Sequence, residues 1–451
     1  MSATIYKNFR SQPIKAVGGE GAWIIGSDGQ RYLDACGGVC VSSLGHRHPR
    51  IVDAIARHAD MLTWAHAGSF TTEPAEELAQ FLVERSGGLA KAQFLSGGSE
   101  AMELALKIAY QYHWERGATA RTLVVSRRQS YHGSTFGTLS ISGNEQRRSI
   151  FEPFLRESLF VSPCYAYREK EAGETDDEYS TRLADELNAQ IERVGPEHVA
   201  AFVAEPVVGS TNGAVPAVPD YFRKIQRVCD RHQVLLILDD VMSGMGRTGF
   251  LFAHLEDGVR PDIVAIGKGL AAGYQPISAV LVSSHVLEAI EAGSGDLKNG
   301  QTHVNHPFAC AVALEVQRTL QDQGLVDQAR RRGDLMRKAL VEQLEGFDFV
   351  GDVRGRGLFL GVELVASRRT KAPLSGGTAL SALLKRAALE RKLLIYPGAG
   401  TAGGQLGNHV LFAPPFVASE DEILEMVRRF ASVLAACRRE IEALATGSRA
   451  A

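Results

Sequence analysis

Short apolar runs alternate with helical stretches through the middle of the chain. The runs lie at 122–126, 199–205, 234–240 and 262–267. They are rich in β-branched residues and apolar on both faces, which is typical of buried parallel strands. Because parallel strands are joined by crossovers that are usually helices, this part is predicted to be an α/β fold with a mostly parallel central sheet.

The two ends of the chain have a different pattern. Residues 21–34 predict two short strands around the turn Ser27–Gly29, and 358–364 predicts another strand. The glycine-rich segment 396–407 is predicted to be a loop. Helical spacing of apolar residues after about residue 325 predicts helices at 327–345, 378–391 and 419–444.

A surface helix is predicted over 175–193. Thr175 is placed to cap it, acidic residues fill its first turn, and one apolar stripe runs along it. The charged segment from Arg168 to Glu174, just before it, is predicted to be only a solvated connection.

Composition and charge narrow the class of protein. The 451 residues are 45% hydrophobic and 22% charged, with a net charge of −3 and no basic stripe, so nucleic acid is not an expected partner. No apolar run is long enough for a membrane span, and no secretory signal is evident. Six scattered cysteines predict buried thiols, without disulfides or a metal site, in the reducing cytoplasm.

Ionisable residues stand at or just past the ends of three predicted strands. Glu205 and Asp239 end two of the runs, and Lys268 follows a third. Open α/β sheets bind their ligands outside the carboxyl ends of the strands. We therefore expect these side chains to share one site.

Lys268 stands between two glycines in DIVAIGKGLAAG. Taken alone, it fits a surface lysine whose stem packs on apolar neighbours. The glycines remove side-chain bulk around the amine, which suits the close approach of a flat cofactor. A partly desolvated lysine is a nucleophile toward aldehydes.

Asp239 has two interpretations. A carboxylate that ends a buried strand needs a partner, and a structural ion pair with Arg247 is one option. The other is that the carboxylate binds a pyridine nitrogen, keeping the ring protonated and able to withdraw electrons.

Two further segments carry candidate chemistry. Gly97, Gly98 and Ser99 precede a helix, where backbone N–H groups and the helix dipole favour an anion, although an ordinary N-cap has the same appearance. Tyr131 and His132 follow the strand at 122–126; the tyrosine either stacks on a flat ring or belongs to the core.

Together these segments resemble the class III (omega) aminotransferases, a family of fold-type I pyridoxal-phosphate enzymes. The resemblance spans about residues 20 to 430. It is carried by six segments in order: SGGSEAMELALKIA, SYHGSTFGTLS, AEPVVGS, LILDDVMSGMGRTG, PDIVAIGKGLAAGYQPISAV and THVNHPFACAVAL.

The resemblance implies pyridoxal 5′-phosphate as cofactor and a role for each matching residue. Lys268 would hold the cofactor as a Schiff base and move the proton, and Asp239 would pair with the pyridine nitrogen. Val241 and Tyr131 would lie on the two ring faces. The remaining implied cofactor-binding residues are Gly98, Ser99, His132, Glu205 and Thr302. Trp64 falls where the family lines the substrate entrance, and a core position is equally compatible.

The resemblance also implies the organisation of the protein. GSDGQRYLD and SSLGHRHP match the family's amino-terminal segment, so 1–65 would join the carboxyl-terminal 326–451 in a small α+β domain beside a large cofactor-binding domain at 66–325. Thr302 matches a threonine that reaches the phosphate of the neighbouring subunit, which implies a homodimer with shared active sites. Whether dimers pair into tetramers stays open.

Three departures bear on the substrate. Asp240 stands where the family usually has glutamate. Ser210 and Leu411 replace the glutamate and the arginine that form a charge switch in members using 2-oxoglutarate. The expected reaction therefore moves an amino group from a primary amine or ω-amino acid to pyruvate. The alternatives are a 2-oxoglutarate-dependent aminotransferase, an aminomutase or decarboxylase on the same fold, and a catalytically silent cofactor-binding protein.

Overall fold

The computed structural model describes residues 3–6, 8–9 and 12–446. Its strands are β1 (Ala16–Glu20), β2 (Trp23–Gly26), β3 (Arg31–Asp34), β4 (Lys91–Leu95), β5 (Leu123–Arg127), β6 (Leu159–Val161), β7 (Val199–Ala204), β8 (Val207–Val208), β9 (Val215–Pro216), β10 (Leu235–Asp239), β11 (Ile263–Ile266), β12 (Ser278–Val282), β13 (Val350–Arg356), β14 (Phe359–Ser367), β15 (Ala372–Pro373), β16 (Leu393–Leu394), β17 (Tyr396–Ala402) and β18 (Leu406–Phe412).

The helices are α1 (Gly37–Cys40), α2 (Pro49–Ala59), α3 (Glu73–Arg85), α4 (Gly98–Glu115), α5 (Phe136–Ser140), α6 (Glu145–Arg148), α7 (Ala166–Glu169), α8 (Asp176–Val194), α9 (Tyr221–His232), α10 (His254–Asp257), α11 (Ser284–Ala292), α12 (Pro307–Asp322), α13 (Leu325–Leu344), α14 (Gly377–Glu390), α15 (Glu420–Ala436) and α16 (Arg438–Thr446). All four residues of α1 have positive φ, so it is a left-handed turn. Within the described ranges, none of these helices combines the length and apolarity that a membrane span requires.

A seven-stranded sheet forms the centre of the molecule, in the order β4-β12-β11-β10-β7-β5-β6. Neighbouring strands from β11 to β6 run parallel, and β12 is antiparallel to both of its neighbours. The mostly parallel α/β sheet predicted from the buried runs is therefore confirmed.

Both faces of the central sheet are covered, which is why its strands read as continuous apolar runs. Leu236 and Leu238 of β10 pack in one core with residues of α8 and α9. Leu235 and Ile237 point the other way and pack with α4. Side chains alternate between the two faces of a strand, so each needs an apolar layer.

The two ends of the chain meet in smaller sheets. β3 from the amino-terminal part pairs with β16 from the carboxyl-terminal part, Leu33 opposite Leu393. A separate antiparallel sheet has the order β13-β14-β18-β17, with β15 beside β14. We propose on this basis the division into 1–65 with 326–451 around 66–325.

Three expectations from the sequence are wrong in detail. The segment 396–407 is not a loop, because most of it forms a hairpin in which Gly398 of β17 is paired with His409 of β18. The helix predicted at 419–444 is divided into α15 and α16 at Cys437.

The third error concerns Arg168, which is not solvated. Its guanidinium donates to the fully buried carboxylate of Glu363 in β14, at 2.5 Å from Nε. Arg354 and the hydroxyl of Tyr165 donate to the same carboxylate. This network, which we call the Glu363 cluster, joins the carboxyl-terminal sheet to the segment before α8.

The prediction that the cysteines are buried thiols is confirmed. All six cysteines are buried free thiols. Among the described residues, no group of histidine, cysteine, aspartate and glutamate side chains could hold a metal ion.

Candidate active site

The carboxyl ends of the central parallel strands surround one cavity of about 250 Å³. Because β7, β10 and β11 are neighbours, the residues at their ends lie side by side. The cavity is lined by Gly98, Ser99, Tyr131, His132, Gly133, Glu205, Asp239, Val241, Met242 and Lys268.

The acid at the end of β10 is held by a histidine rather than by an arginine. Nδ1 of His132 lies 2.9 Å from Oδ2 of Asp239, and both side chains are buried. The other carboxylate oxygen accepts the amide of Val241 at 3.2 Å. Arg247 instead donates to the carbonyls of Leu358 and Pro414, so the ion pair considered as an alternative is not formed.

Lys268 lines the cavity from a strained backbone position. Its φ is +44°, a region that residues other than glycine seldom occupy. The neighbouring Gly267 and Gly269 are buried, whereas Lys268 is half-buried. Such strain is commonly held at functional sites, where it directs a side chain.

The start of α4 provides a place for an anion. Glu100 Oε2 accepts the amides of Ser96 and Gly97 at 3.0 and 3.1 Å. The amides of Gly98 and Ser99 belong to the first helical turn, whose N–H groups have no acceptor inside the helix. A Cβ on Gly98 would lie 2.9 Å from Cγ1 of Val241, so only glycine fits against that wall.

Glu205 holds two loops around the cavity. Its carboxylate accepts the amide of Tyr131 at 3.1 Å and that of Gly209 at 2.9 Å. Burial raises the pKa of this carboxyl, an effect that His132 partly offsets. Gly133, in the Tyr131 loop, has φ +141°, and a Cβ there would lie 2.8 Å from Oγ of Ser99.

Asp240 follows Asp239 but turns away into the protein. It accepts the Ser243 hydroxyl at 2.5 Å and the Ala253 amide at 2.9 Å. Burial raises its pKa to about 7. In place of the glutamate usual in the family, this shorter acid therefore fixes the turn that follows β10.

These residues fit a flat, anionic, aldehyde-bearing heterocycle. The first turn of α4 suits a phosphate, the buried Asp239 suits a protonated ring nitrogen, and the Lys268 amine suits an aldehyde. Tyr131 and Val241 supply an aromatic and an aliphatic wall for the ring.

Comparison with known proteins points to the same chemistry. The family model described as "Aminotransferase class-III" matches residues 5–434. The chain belongs to the class III aminotransferases. Members of this family depend on pyridoxal 5′-phosphate.

Several relatives cover almost the whole chain. It is 40% identical to an uncharacterized aminotransferase of Schizosaccharomyces pombe, over 95% of this chain and 94% of that protein. It is 31% identical to gamma aminobutyrate transaminase 3, chloroplastic, of Solanum lycopersicum, over 96% and 82% of the two chains. The omega transaminase of Pseudomonas jessenii in complex with PMP superposes with a TM-score of 0.90 at 32% identity, covering 98% and 97%.

The cavity of this aminotransferase brings together eight of the ten residues singled out from the sequence. Thr302 and Trp64 do not line it. Thr302 is exposed in a separate depression with Ser96, Glu100 and His303. Trp64 is 39% exposed and packs edge-on against His66.

Three residues at or beside the cavity were not predicted from the sequence. Gly133 and Met242 line the wall beside residues that were singled out, so their position next to His132 and Val241 was the available clue. Arg147 contacts the Tyr131 ring, with its guanidinium carbon 4.3 Å from the ring centroid. It lies in a four-residue helix, too short to show periodicity.

Proposed function

We propose that this aminotransferase moves an amino group from a primary amine or ω-amino acid to pyruvate, with Lys268 as the catalytic lysine. The observation that carries the proposal is the convergence of Lys268, Asp239 and the start of α4 on one cavity. These three features suit the aldehyde, the ring nitrogen and the phosphate of one cofactor.

The bound cofactor supplies an aldehyde that condenses with amines and a ring that withdraws electrons. Asp239 would keep a proton on the ring nitrogen, and His132 would hold the carboxylate in place by donating from Nδ1. Lys268 would hold the cofactor between turnovers and, once displaced by the donor, carry the proton to and from the substrate carbon. Tyr131 and Val241 would keep the ring plane fixed, and Glu205 would position the Tyr131 loop.

The proposed acceptor follows from the charges of the side chains in and near the carboxyl-terminal hairpin. Leu411 is a fully buried residue of β18 and Ser210 carries no charge, so neither forms a charge switch. His409 is the basic residue of 396–410, and burial lowers its pKa to about 3, so it is neutral in the physiological range. Pyruvate, with one carboxylate, requires less compensation than 2-oxoglutarate.

We further propose a homodimer with shared active sites, in which Thr302 serves the neighbouring cofactor. The exposure of Thr302 outside its own cavity supports this. So does an apolar surface beside the Tyr131 loop, where Phe136 stacks on Phe154 and both side chains are more than half exposed. A cytoplasmic location, our last proposal here, fits the six free thiols.

The test is transamination between two free substrates. Protein saturated with pyridoxal phosphate is incubated with a panel of amines and pyruvate, and alanine is measured. Lys268→Ala is expected to abolish alanine formation and the near-visible absorbance of the lysine-bound cofactor, without lowering the melting temperature. Lys338→Ala, an exposed lysine on α13, is the matched control. Full alanine production by Lys268→Ala would refute the catalytic assignment.

A further inference from the structure

Arg147 of α6 contacts Tyr131, one of the residues that line the active-site cavity. Its Nη2 donates to Oγ of Ser210 at 3.2 Å, and its guanidinium lies over the ring of Tyr131. Tyr131 is part of the cavity wall, and Ser210 follows Gly209, whose amide is bound by Glu205. The cation therefore contacts the wall of the cavity at Tyr131.

In the described part of the chain, Arg147 has no carboxylate within ion-pair distance. By contrast, two other arginines, Arg148 and Arg354, each donate to several acceptors of the protein itself. Arg148 donates to the carbonyls of Leu139, Ser140 and Ser142, and Arg354 donates to the Glu363 carboxylate. A guanidinium has five N–H donors, so one hydroxyl and one aromatic face leave most of the Arg147 donors open to a ligand.

The position of α6 explains why the cation comes from this segment. The hairpin of β17 and β18 packs beside α6, where Nε2 of Gln405 donates to Oε2 of Glu145 at 3.3 Å. The one basic residue of the hairpin is His409, which is buried and neutral. Arg147 reaches over from α6 to Ser210, a neutral residue.

We propose that Arg147 binds the carboxylate of the substrate and makes this enzyme selective for ω-amino acids over amines that lack a carboxylate. Because Ser210 is neutral, no internal countercharge competes with the substrate. One unpaired cation matches one carboxylate, which is what an ω-amino acid and pyruvate each carry. This inference rests on the proposed function.

The test compares two donors that differ only in the carboxylate, 5-aminopentanoate and pentan-1-amine, with pyruvate as acceptor. Arg147→Gln is expected to lower the ratio of their kcat/KM values by about tenfold to a hundredfold, mainly through KM, because a hydrogen-bonded charge is lost. Arg147→Lys should recover part of the ratio. Arg337→Gln, a surface arginine on α13, is the charge-matched control and should leave the ratio unchanged.

A second variant tests the same proposal by adding a countercharge beside Arg147 instead of removing the arginine. Ser210→Asp places a carboxylate at the Ser210 Oγ position, so it should pair with Arg147 and lower the same ratio while Arg147 is intact. An unchanged ratio in both Arg147→Gln and Ser210→Asp would overturn the proposal. An equal loss for both donors would do so as well.

Calorimetric titration of the holoenzyme with pentanoate, which carries no amine and cannot react, separates this inference from the proposed function. Pentanoate binding that weakens in Arg147→Gln but not in Arg337→Gln supports the carboxylate site even if no donor is turned over. Failure of the wild-type protein to transaminate any amine, by contrast, refutes the proposed function. Equal pentanoate binding by the wild type and Arg147→Gln would refute the site.

Discussion

Nδ1 of His132 lies 2.9 Å from Oδ2 of Asp239, with both side chains buried beneath the cavity. A carboxylate in this setting accepts hydrogen bonds only, so the histidine donates. With the Val241 amide on the other oxygen, the carboxylate has a fixed direction before any ligand arrives. Such preorganisation lets a charge act without the cost of reorganisation during the reaction.

Asp239→Asn is therefore expected to slow the half-reaction with an amine by about 10²–10³, because a preorganised electrostatic partner is lost. The cofactor should still bind through Lys268 and the start of α4. Stopped-flow absorbance of the donor half-reaction measures the rate. Asp334→Asn, an exposed aspartate on α13, is the control. An unchanged rate would assign the role to another acid.

Asp240, the buried acid that follows Asp239, has a testable effect on stability. The pKa of Asp240 is about 7 in the folded protein against an ordinary value of 3.8. Between these values the folded state holds a proton that the unfolded chain has released, so stability falls as pH rises from about 4 to 7. The loss is at most about 1.4 kcal/mol per pH unit.

Asp240→Asn does not titrate, so its unfolding free energy should fall less than that of the wild type between pH 5 and pH 7. Urea unfolding at both pH values gives the comparison, and groups common to both proteins cancel. A variant with the same pH dependence as the wild type would show that Asp240 does not hold this proton.

Much of this site is predictable from the sequence, because buried strands have a recognisable apolar pattern. β7, β10 and β11 are apolar on both faces, and Glu205, Asp239 and Lys268 lie at or just past their carboxyl ends. Arg147 and Arg168 show no such pattern, because a charged residue has the same appearance whether it is solvated or bound. The partner of Arg168, Glu363, is 195 residues away, and only the packed structure joins them.

The Glu363 cluster is expected to contribute strongly to stability. Glu363→Gln keeps the shape but leaves Arg354 and Arg168 without their buried countercharge. Removing one partner of a buried ion pair costs about 3–5 kcal/mol. Chemical unfolding should show a loss of this order, and Glu342→Gln on the surface of α13 should show almost none. A loss below about 1 kcal/mol would contradict the cluster's role.

The proposed dimer is tested at Thr302. Thr302→Ala is expected to weaken the affinity for pyridoxal phosphate by about tenfold or more, the effect of a hydrogen bond to a charged group. Thr370→Ala, an exposed threonine elsewhere, is the control. Sedimentation should find at least a dimer for both variants. A fully active wild-type monomer would exclude shared sites.

The choice of amino acceptor depends on how many carboxylates the site can satisfy. 2-Oxoglutarate brings two, and an unpaired carboxylate in a buried pocket is costly. The described residues around the cavity offer Arg147 as an arginine without an ionic partner, while His409 is neutral and Leu411 lies in the core. Pyruvate brings one carboxylate and a methyl group, so a single cation is sufficient.

We therefore expect kcat/KM for pyruvate to exceed that for 2-oxoglutarate by about tenfold or more with the same donor, because the second carboxylate lacks a charged hydrogen-bond partner. The two acceptors are compared in the wild type and in Arg147→Gln. Loss of the Arg147 cation should lower both values, since each acceptor then has one unpaired carboxylate more than before. Equal or better use of 2-oxoglutarate by the wild type would contradict this prediction, because it would require a second cation at the site. A subunit-mixing experiment with arginine variants would then test whether the partner chain supplies that cation.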